Sequence, residues 1–256
     1  FRQTMVERLG LGRFLSTATR MIWRHLERQP LRASLSCLGI ALAVGILVLG
    51  NFIEDTVDYV MDFQFHCVQR QDVTVTFVEP TVGRAAHDLA HQPGVMAVEP
   101  FRAVPARIRF GPATRRIGIL GLTANGRLFQ PRDASGRLME LPSEGLVISE
   151  KLAEIFGCRI GDQVQVEVLE LNRPVREVPV TGVIADFIEL NAYMQLSALH
   201  RLMREQDAIS GAFLSVDAVG ADRLFAKLKE APRISGVAIK RAALESYERT
   251  LAENVL

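Results

Sequence analysis

From Ala33 to Ile53 the chain carries no charged side chain. A helix needs about 20 residues to cross the roughly 30 Å hydrocarbon layer of a bilayer. In lipid it satisfies every backbone N–H and C=O within itself, so an uncharged run of this length points to a membrane span. The two flanks differ in sign. Arg2, Arg8, Arg13, Arg20, Arg24, Arg28 and Arg32 precede the run; Glu54, Asp55, Asp58 and Asp62 follow it, with no Lys or Arg before Arg70. Basic flanks stay on the cytoplasmic side, so everything after Ile53 is expected on the far side of the membrane.

The run is too long for the apolar region of a signal peptide, and no small-residue cleavage site follows it. A hydrophobic fraction of 48% in 256 residues fills a core as well as one span. A net charge of +1 argues against a general polyanion binder, and so against nucleic acid as a partner. Of the three cysteines, Cys37 falls in the span. Cys67 and Cys158 fall on the oxidising side, where a disulfide is chemically allowed and two free thiols are the plainer reading. The absence of Asn-x-Ser/Thr fits a bacterial envelope. A first residue of Phe rather than Met reads as a fragment of a longer polypeptide.

Residues 1–30 are expected to form a cytoplasmic amphipathic helix. Leu11, Phe14, Leu15, Ala18, Ile22 and Leu26 recur at helical spacing, the arginines lie off that stripe, and Trp23 suits a headgroup level. Pro30 ends that helix and fits the first turn of the next. Residues 31–70 read as the membrane helix and its stalk. Asn51 to Gln69 holds no Pro or Gly, and Ile53, Val57, Val60, Met61, Phe65 and Val68 continue the apolar stripe.

Beyond Gln71 the periodicity changes. Asp72 to Val78 alternates as a strand, Arg84 to Gln92 reads as a helix closed by Pro93-Gly94, and Val95 to Val98 opens another strand. A hairpin turns about Gly111-Pro112 between Arg107–Phe110 and Arg116–Gly121. The order recurs later, with strand Ala212–Asp217, helix Ala221–Glu230 and strand Gly236–Lys240. Two βαβ-like units about 100 residues apart predict one split α+β subdomain, residues 71–122 and 211–240, interrupted by an insertion over 123–210. The insertion is mostly β. Gly145–Ser149 is a strand, with Ser149 as helix cap and Gly157 as helix end. Val164–Leu169 and Val175–Ile184 are strands, and Leu196–Arg204 is a helix. Residues 241–256 read as a helix leading to a next transmembrane segment. The expected fold class is therefore α+β: a transmembrane helix with a stalk, then a split βαβ subdomain interrupted by a β-rich one.

Two stretches carry a family resemblance. Arg20-Met-Ile-Trp-Arg-His-Leu-Glu-Arg-Gln-Pro-Leu-Arg-Ala-Ser-Leu-Ser-Cys-Leu-Gly-Ile-Ala-Leu-Ala-Val44 resembles the entry to a transmembrane helix in the MacB/FtsX-like ABC-transporter permeases. Gly145-Leu-Val-Ile-Ser-Glu-Lys-Leu-Ala-Glu-Ile-Phe-Gly-Cys-Arg-Ile-Gly-Asp162 is similar to the extracytoplasmic core of that family, and Val180-Thr-Gly-Val-Ile184 to its following strand. The resemblance implies a porter-like α+β subdomain interrupted by a β-rich one. It also implies a permease subunit in the bacterial inner membrane, working as a homo- or heterodimer with an ABC ATPase and a periplasmic partner. Such a subunit would handle substrate on the periplasmic side by transmitting ATP-driven motion through the stalk. No G-x-x-x-x-G-K-[ST] occurs in the chain, so the ATPase would be a separate subunit or domain and the permease itself no enzyme.

The candidate sites have plainer rivals. Glu54, Asp58 and Asp62 share a helix face and read either as a cation or proton site or, more simply, as a solvated stalk face. His87 and His91 have a metal-compatible i, i+4 spacing but no evident third ligand. His66 and Cys67 are adjacent, so on a helix they point apart. Gly39 and Gly45 in the span do not make a G-x-x-x-G motif. No G-x-S-x-G, H-E-x-x-H or C-x-x-C is present, so no catalytic, cofactor or metal residue is assigned. Arg20, Arg24 and Arg28 are the residues expected to contact anionic lipid or the ATPase, with topological anchoring as the alternative. Against the permease reading stands a single-pass, membrane-tethered binding or sensing module.

Overall fold

A computed structural model of the protein describes residues 30–254 except 134, 187–189 and 220. Among these, residues up to Tyr59 form one compact unit and residues from Val60 onward a second.

The first unit is helical. α1 spans Pro30–Asp62, 33 residues without a break. At about 1.5 Å per residue it is roughly 50 Å long, well beyond one hydrocarbon layer. Pro30 occupies its first position, where the missing N–H and fixed φ cost nothing. Leu38, Ile40, Leu42, Ile46, Leu47 and Phe52 are all exposed, which suits a lipid-facing element. Among the described residues it is the one helix long and apolar enough to cross a membrane. The expected amphipathic helix over residues 1–30 lies outside the described residues.

The helical path then loosens. Phe63–Val68 winds as a π-helical turn, with Phe63, Gln64 and Val68 buried. The stalk expected to run to Gln69 thus continues as helix, but its last six residues take the wider π geometry, a feature that often marks functional positions.

The second unit is α+β. Its strands are β1 (Val73–Val82), β2 (Val95–Phe110), β3 (Ala113–Leu122), β4 (Leu146–Ser149), β5 (Gln163–Val168), β6 (Val175–Ile184), β7 (Ala192–Gln195), β8 (Ala208–Val216) and β9 (Ile234–Ile239). Its helices are α2 (Arg84–Ala90), α3 (Glu150–Phe156), α4 (Leu196–Met203), α5 (Ala221–Glu230) and α6 (Lys240–Asn254).

One half is a four-stranded antiparallel sheet ordered β2-β8-β1-β9. It is built from β1-α2-β2 and β8-α5-β9, the split βαβ arrangement. Val73 and Val75 alternate inward with Thr74 and Thr76, and pack with Ala212, Leu214, Leu89 of α2, and Leu224 and Leu228 of α5. The other half closes on itself. β3 pairs β7, β7 pairs β4, β4 pairs β6, β6 pairs β5, β5 pairs β2, and β2 pairs β3 again. Closure leaves no unpaired edge on this ring. Its interior is aliphatic: Val104, Ala106, Ile108, Ile119, Leu146, Ile148, Val164, Val166 and Val180, with Leu152 of α3 and Leu199 of α4 packed into the same core. Burying each valine, leucine or isoleucine among them contributes about 1.5–3 kcal/mol.

β2 belongs to both halves. Val95–Phe101 pairs with β8, and Ala106–Arg109 pairs with β5. The sequence places strand at each end; the structure joins them into one 16-residue strand through Pro100 and Pro105. A proline has no N–H for the ladder. Both stand at the ends of the short stretch where β2 leaves β8 and takes up β5, where fewer ladder bonds are available to lose.

The local signals resolve in different ways. Gly157 adopts φ 66°, ψ 23° and closes α3 as expected. Ser149 holds the extended cap conformation ahead of α3, yet its hydroxyl makes no capping bond and is buried without a partner. Gly111 turns the β2–β3 hairpin with φ 53°.

Candidate functional site

The region with the densest polar chemistry is the place where β2 changes partner. Arg102, the middle of Phe101-Arg102-Ala103, is 1% exposed. Its guanidinium donates through Nε and Nη2 to both carboxylate oxygens of Glu205, at 3.2 and 3.0 Å. Nη2 also donates to Glu170 Oε1 at 2.9 Å, and Nη1 donates to Ser210 Oγ at 2.9 Å and to the Ala103 carbonyl at 3.1 Å. Burial pulls the guanidinium pKa down, but hydrogen bonds and charge from Glu205 and Glu170 outweigh it, and the net shift is upward. Arg102 stays cationic throughout. Only a planar fork of five donors matches such a set of acceptors. Glu170 follows β5, Glu205 follows α4 and Ser210 lies in β8, so one buried cation fastens the closed ring to the four-stranded sheet.

The second feature is the pair of chain connections. The polypeptide enters through Gln69–Asp72 and leaves through Lys240, and the two lie together. Val73 pairs with Ile239, the Lys240 N–H donates to the Asp72 carbonyl at 3.0 Å, and Lys240 Nζ donates to the Gln69 carbonyl at 3.2 Å. Burial holds the Lys240 ammonium below the ordinary lysine range; Asp72 opposes that shift and Arg70 adds to it. Asp72 is itself held by Ser215 Oγ at 3.0 Å and the Val216 N–H at 2.8 Å. The segment that leads into β1 and the first residue of α6 are therefore held to each other by main chain and side chain.

The residues singled out from sequence fare unevenly. Arg20, Arg24 and Arg28 lie outside the described residues. Asp58 and Asp62 are exposed on α1, and Asp62 contacts His66 Nδ1 at 3.1 Å, one turn on. His87 and His91 are exposed on and just past α2, where His91 Nδ1 lies 2.7 Å from the His87 carbonyl oxygen. Among the described residues no three of His, Cys, Asp and Glu come together as a metal-ligand group. Cys67 is half-buried and Cys158 buried, both as free thiols, and burial pushes the Cys158 thiol pKa up. Arg102, Glu170 and Glu205 were not singled out from sequence. The one signal for them is an arginine set between Phe101 and Ala103-Val104 in a strand otherwise destined for the core.

Comparison with known proteins bears on this architecture. No curated protein sequence matches. Among solved structures, the periplasmic region of MacB from Actinobacillus actinomycetemcomitans is similar at 15% identity, covering 73% of this chain and 97% of that one, with a TM-score of 0.47. The extracellular domain of the noncanonic ABC-type transporter YknZ from Gram-positive bacteria is similar at 15% identity, covering 59% of this chain and 87% of that one, with a TM-score of 0.43. The family model described as the MacB-like periplasmic core domain matches residues 33–238, most of the chain. By that match the chain belongs to the MacB-like periplasmic core domain family, part of the permease component of ABC-type transporters.

Proposed function

We propose that the chain relays ATP-driven motion across the bacterial inner membrane to a periplasmic body that handles substrate. The observation that carries this reading is the pairing of the two connections. α1 runs unbroken through Val60 and Met61, and α6 starts at Lys240, the residue that bonds Gln69 and Asp72. A displacement passing along α1 and the π-helical turn would meet the joint at Gln69–Asp72 from which α6 departs, and the buried Arg102 fastens the two halves of the second unit beyond it. In this scheme an ABC ATPase, in a separate subunit or domain, supplies the motion. Two permease subunits work as a dimer, and a periplasmic partner receives the substrate. Arg20, Arg24 and Arg28 would hold the cytoplasmic end against anionic lipid or the ATPase.

The test replaces Val60 and Met61 with Gly-Gly in the full protein assembled with its ATPase. Two glycines cost a helix roughly 2 kcal/mol and make it flexible. Transport should fall to background while ATP hydrolysis continues and the second unit keeps its melting transition. Transport at the wild-type rate in that variant would remove the relay.

A further inference from the structure

We propose that the open side of β9 takes an extended segment of another polypeptide as a further strand, a segment uncharged along its middle and acidic at both ends. β9 ends the four-stranded sheet and, among the described residues, pairs only with β1. Gly236 to Ile239 run in regular register opposite Thr76 to Val73, and the register shifts just before them, at Ser235. The Lys240 N–H donates to the Asp72 carbonyl at 3.0 Å. Antiparallel pairs alternate, so Ala238 and Gly236 likewise turn their main chain toward β1. Val237 therefore directs its N–H and C=O outward, and Ile239 its N–H. An edge of this kind is a template for another strand, and recognition by strand addition uses such edges.

Proteins blunt their sheet edges with charge, with proline or with a covering segment. The opposite side of the same sheet is covered: Glu99 of β2 accepts from the N–H groups of Arg127 and Leu128, and Thr123 Oγ1 donates to the Pro100 carbonyl at 3.0 Å. β9, Ile-Ser-Gly-Val-Ala-Ile, has neither charge nor proline, and Ser235, Gly236 and Ala238 are exposed. A Cβ added at Gly236 would meet nothing within 4 Å, so the space beside the strand is open. On the other face Ile234 and Val237 are half-buried against the core that α5 covers, so apolar side chains on an added strand would complete their burial. Charge selects the ends of that strand. Arg233 is exposed just before β9. Arg241, 75% exposed just after it, meets Glu245 at 3.6 Å, a surface pair of little strength. Lys240 lies beside Asp72 and is not counted. A second copy paired across a two-fold axis at Val237 would set Arg233 near Arg241 twice, so like charges oppose self-pairing; acids at both ends of a foreign strand meet the same arginines favourably. This inference stands on the edge of the second unit and does not rest on the relay.

The experiment is fluorescence anisotropy of a fluorescein-labelled peptide, Glu-Glu-Val-Thr-Val-Thr-Val-Glu-Glu-amide, titrated with the full protein in a maltoside detergent. A control peptide carries lysine in place of every glutamate. Saturable binding of the acidic peptide, at least tenfold tighter than the control, is the expected result. Val237→Pro removes an outward N–H and leaves the bonds to β1 intact, a position where an edge strand tolerates proline. It should weaken binding at least tenfold while the protein retains its circular dichroism spectrum. The pair Arg233→Glu and Arg241→Glu leaves the main chain alone and should reverse the preference between the two peptides, which decides the matter even where the proline variant loses its spectrum. No saturable binding, equal binding of the lysine peptide, or unchanged binding in both variants would overturn the proposal. So would a wild-type dimer that Val237→Pro converts to monomer, since the edge would then belong to a second copy.

Discussion

Replacing Arg102 by Met tests whether one buried cation fastens the two halves of the outer body. The methionine fills much of the vacated volume, so the cost is mainly electrostatic. Glu205, with its side chain 11% exposed, loses its bidentate partner. Glu170, at 26%, keeps access to water and loses less. Ser210 Oγ loses one donor but still faces the Ala103 N–H and carbonyl, at 3.1 Å each. Breaking a buried pair from one side costs about 3–5 kcal/mol, because the remaining charge stays desolvated. A domain of this size shifts by about 2–4 °C per kcal/mol, so the melting transition should drop by roughly 10 °C. Circular dichroism of the full protein against temperature reads this directly. The diagnostic step is the double variant Arg102→Met, Glu205→Leu. Removing the stranded charge should restore at least half of the loss, since the two sites interact directly. A single variant within about 1 kcal/mol of wild type, or a double variant no better than the single, would refute the account of Arg102 as a satisfied buried ion.

Two further expectations follow from local geometry. A methyl group at Gly211 would run into the Val75 carbonyl oxygen and the Phe101 ring, so Gly211→Ala should destabilise the protein by about 2–3 kcal/mol in urea unfolding, and a loss below 0.5 kcal/mol would contradict the packing. Asp133 accepts from Ser135 Oγ, the Ser135 and Arg137 N–H groups and Arg137 Nε, which hold its carboxyl at about 2 against an ordinary 3.8. The turn it closes is therefore fully supported above pH 4 and loses that support as pH falls through about 2. The Arg137 amide resonance should titrate with that midpoint, and a midpoint near 4 would contradict the bonding.

Much of this architecture is legible in the residues because it is local. The uncharged run with opposite flanks marks α1, and strict alternation marks β5 and β6, whose buried valines fall on every second position. α5 and the end of α3 follow from helical spacing and from a glycine placed where φ is positive. What escapes is the long-range pairing. β7 is only Ala-Tyr-Met-Gln, too short to show a period, yet it closes the ring by pairing in parallel with β3. β2 reads as two pieces, Val95–Val98 and Arg107–Phe110, because the stretch between them, with Pro100 and Pro105, changes partner instead of following one ladder. The polar groups that matter most, Arg102 with Glu170 and Glu205, are ordinary residue types at ordinary spacings. Tertiary structure alone puts a guanidinium among two carboxylates.

The outer body begins and ends on neighbouring strands, whose Cα atoms across an antiparallel pair stand about 5 Å apart. Geometrically it is a cassette hung from one narrow doorway. Such a module can be exchanged, enlarged or duplicated without altering the segments that flank it, because the gap between its two ends never changes. Diversification of the body is thereby uncoupled from the segments on either side of it, and a chimera that swaps the body at Asp72 and Lys240 inherits a ready-made junction.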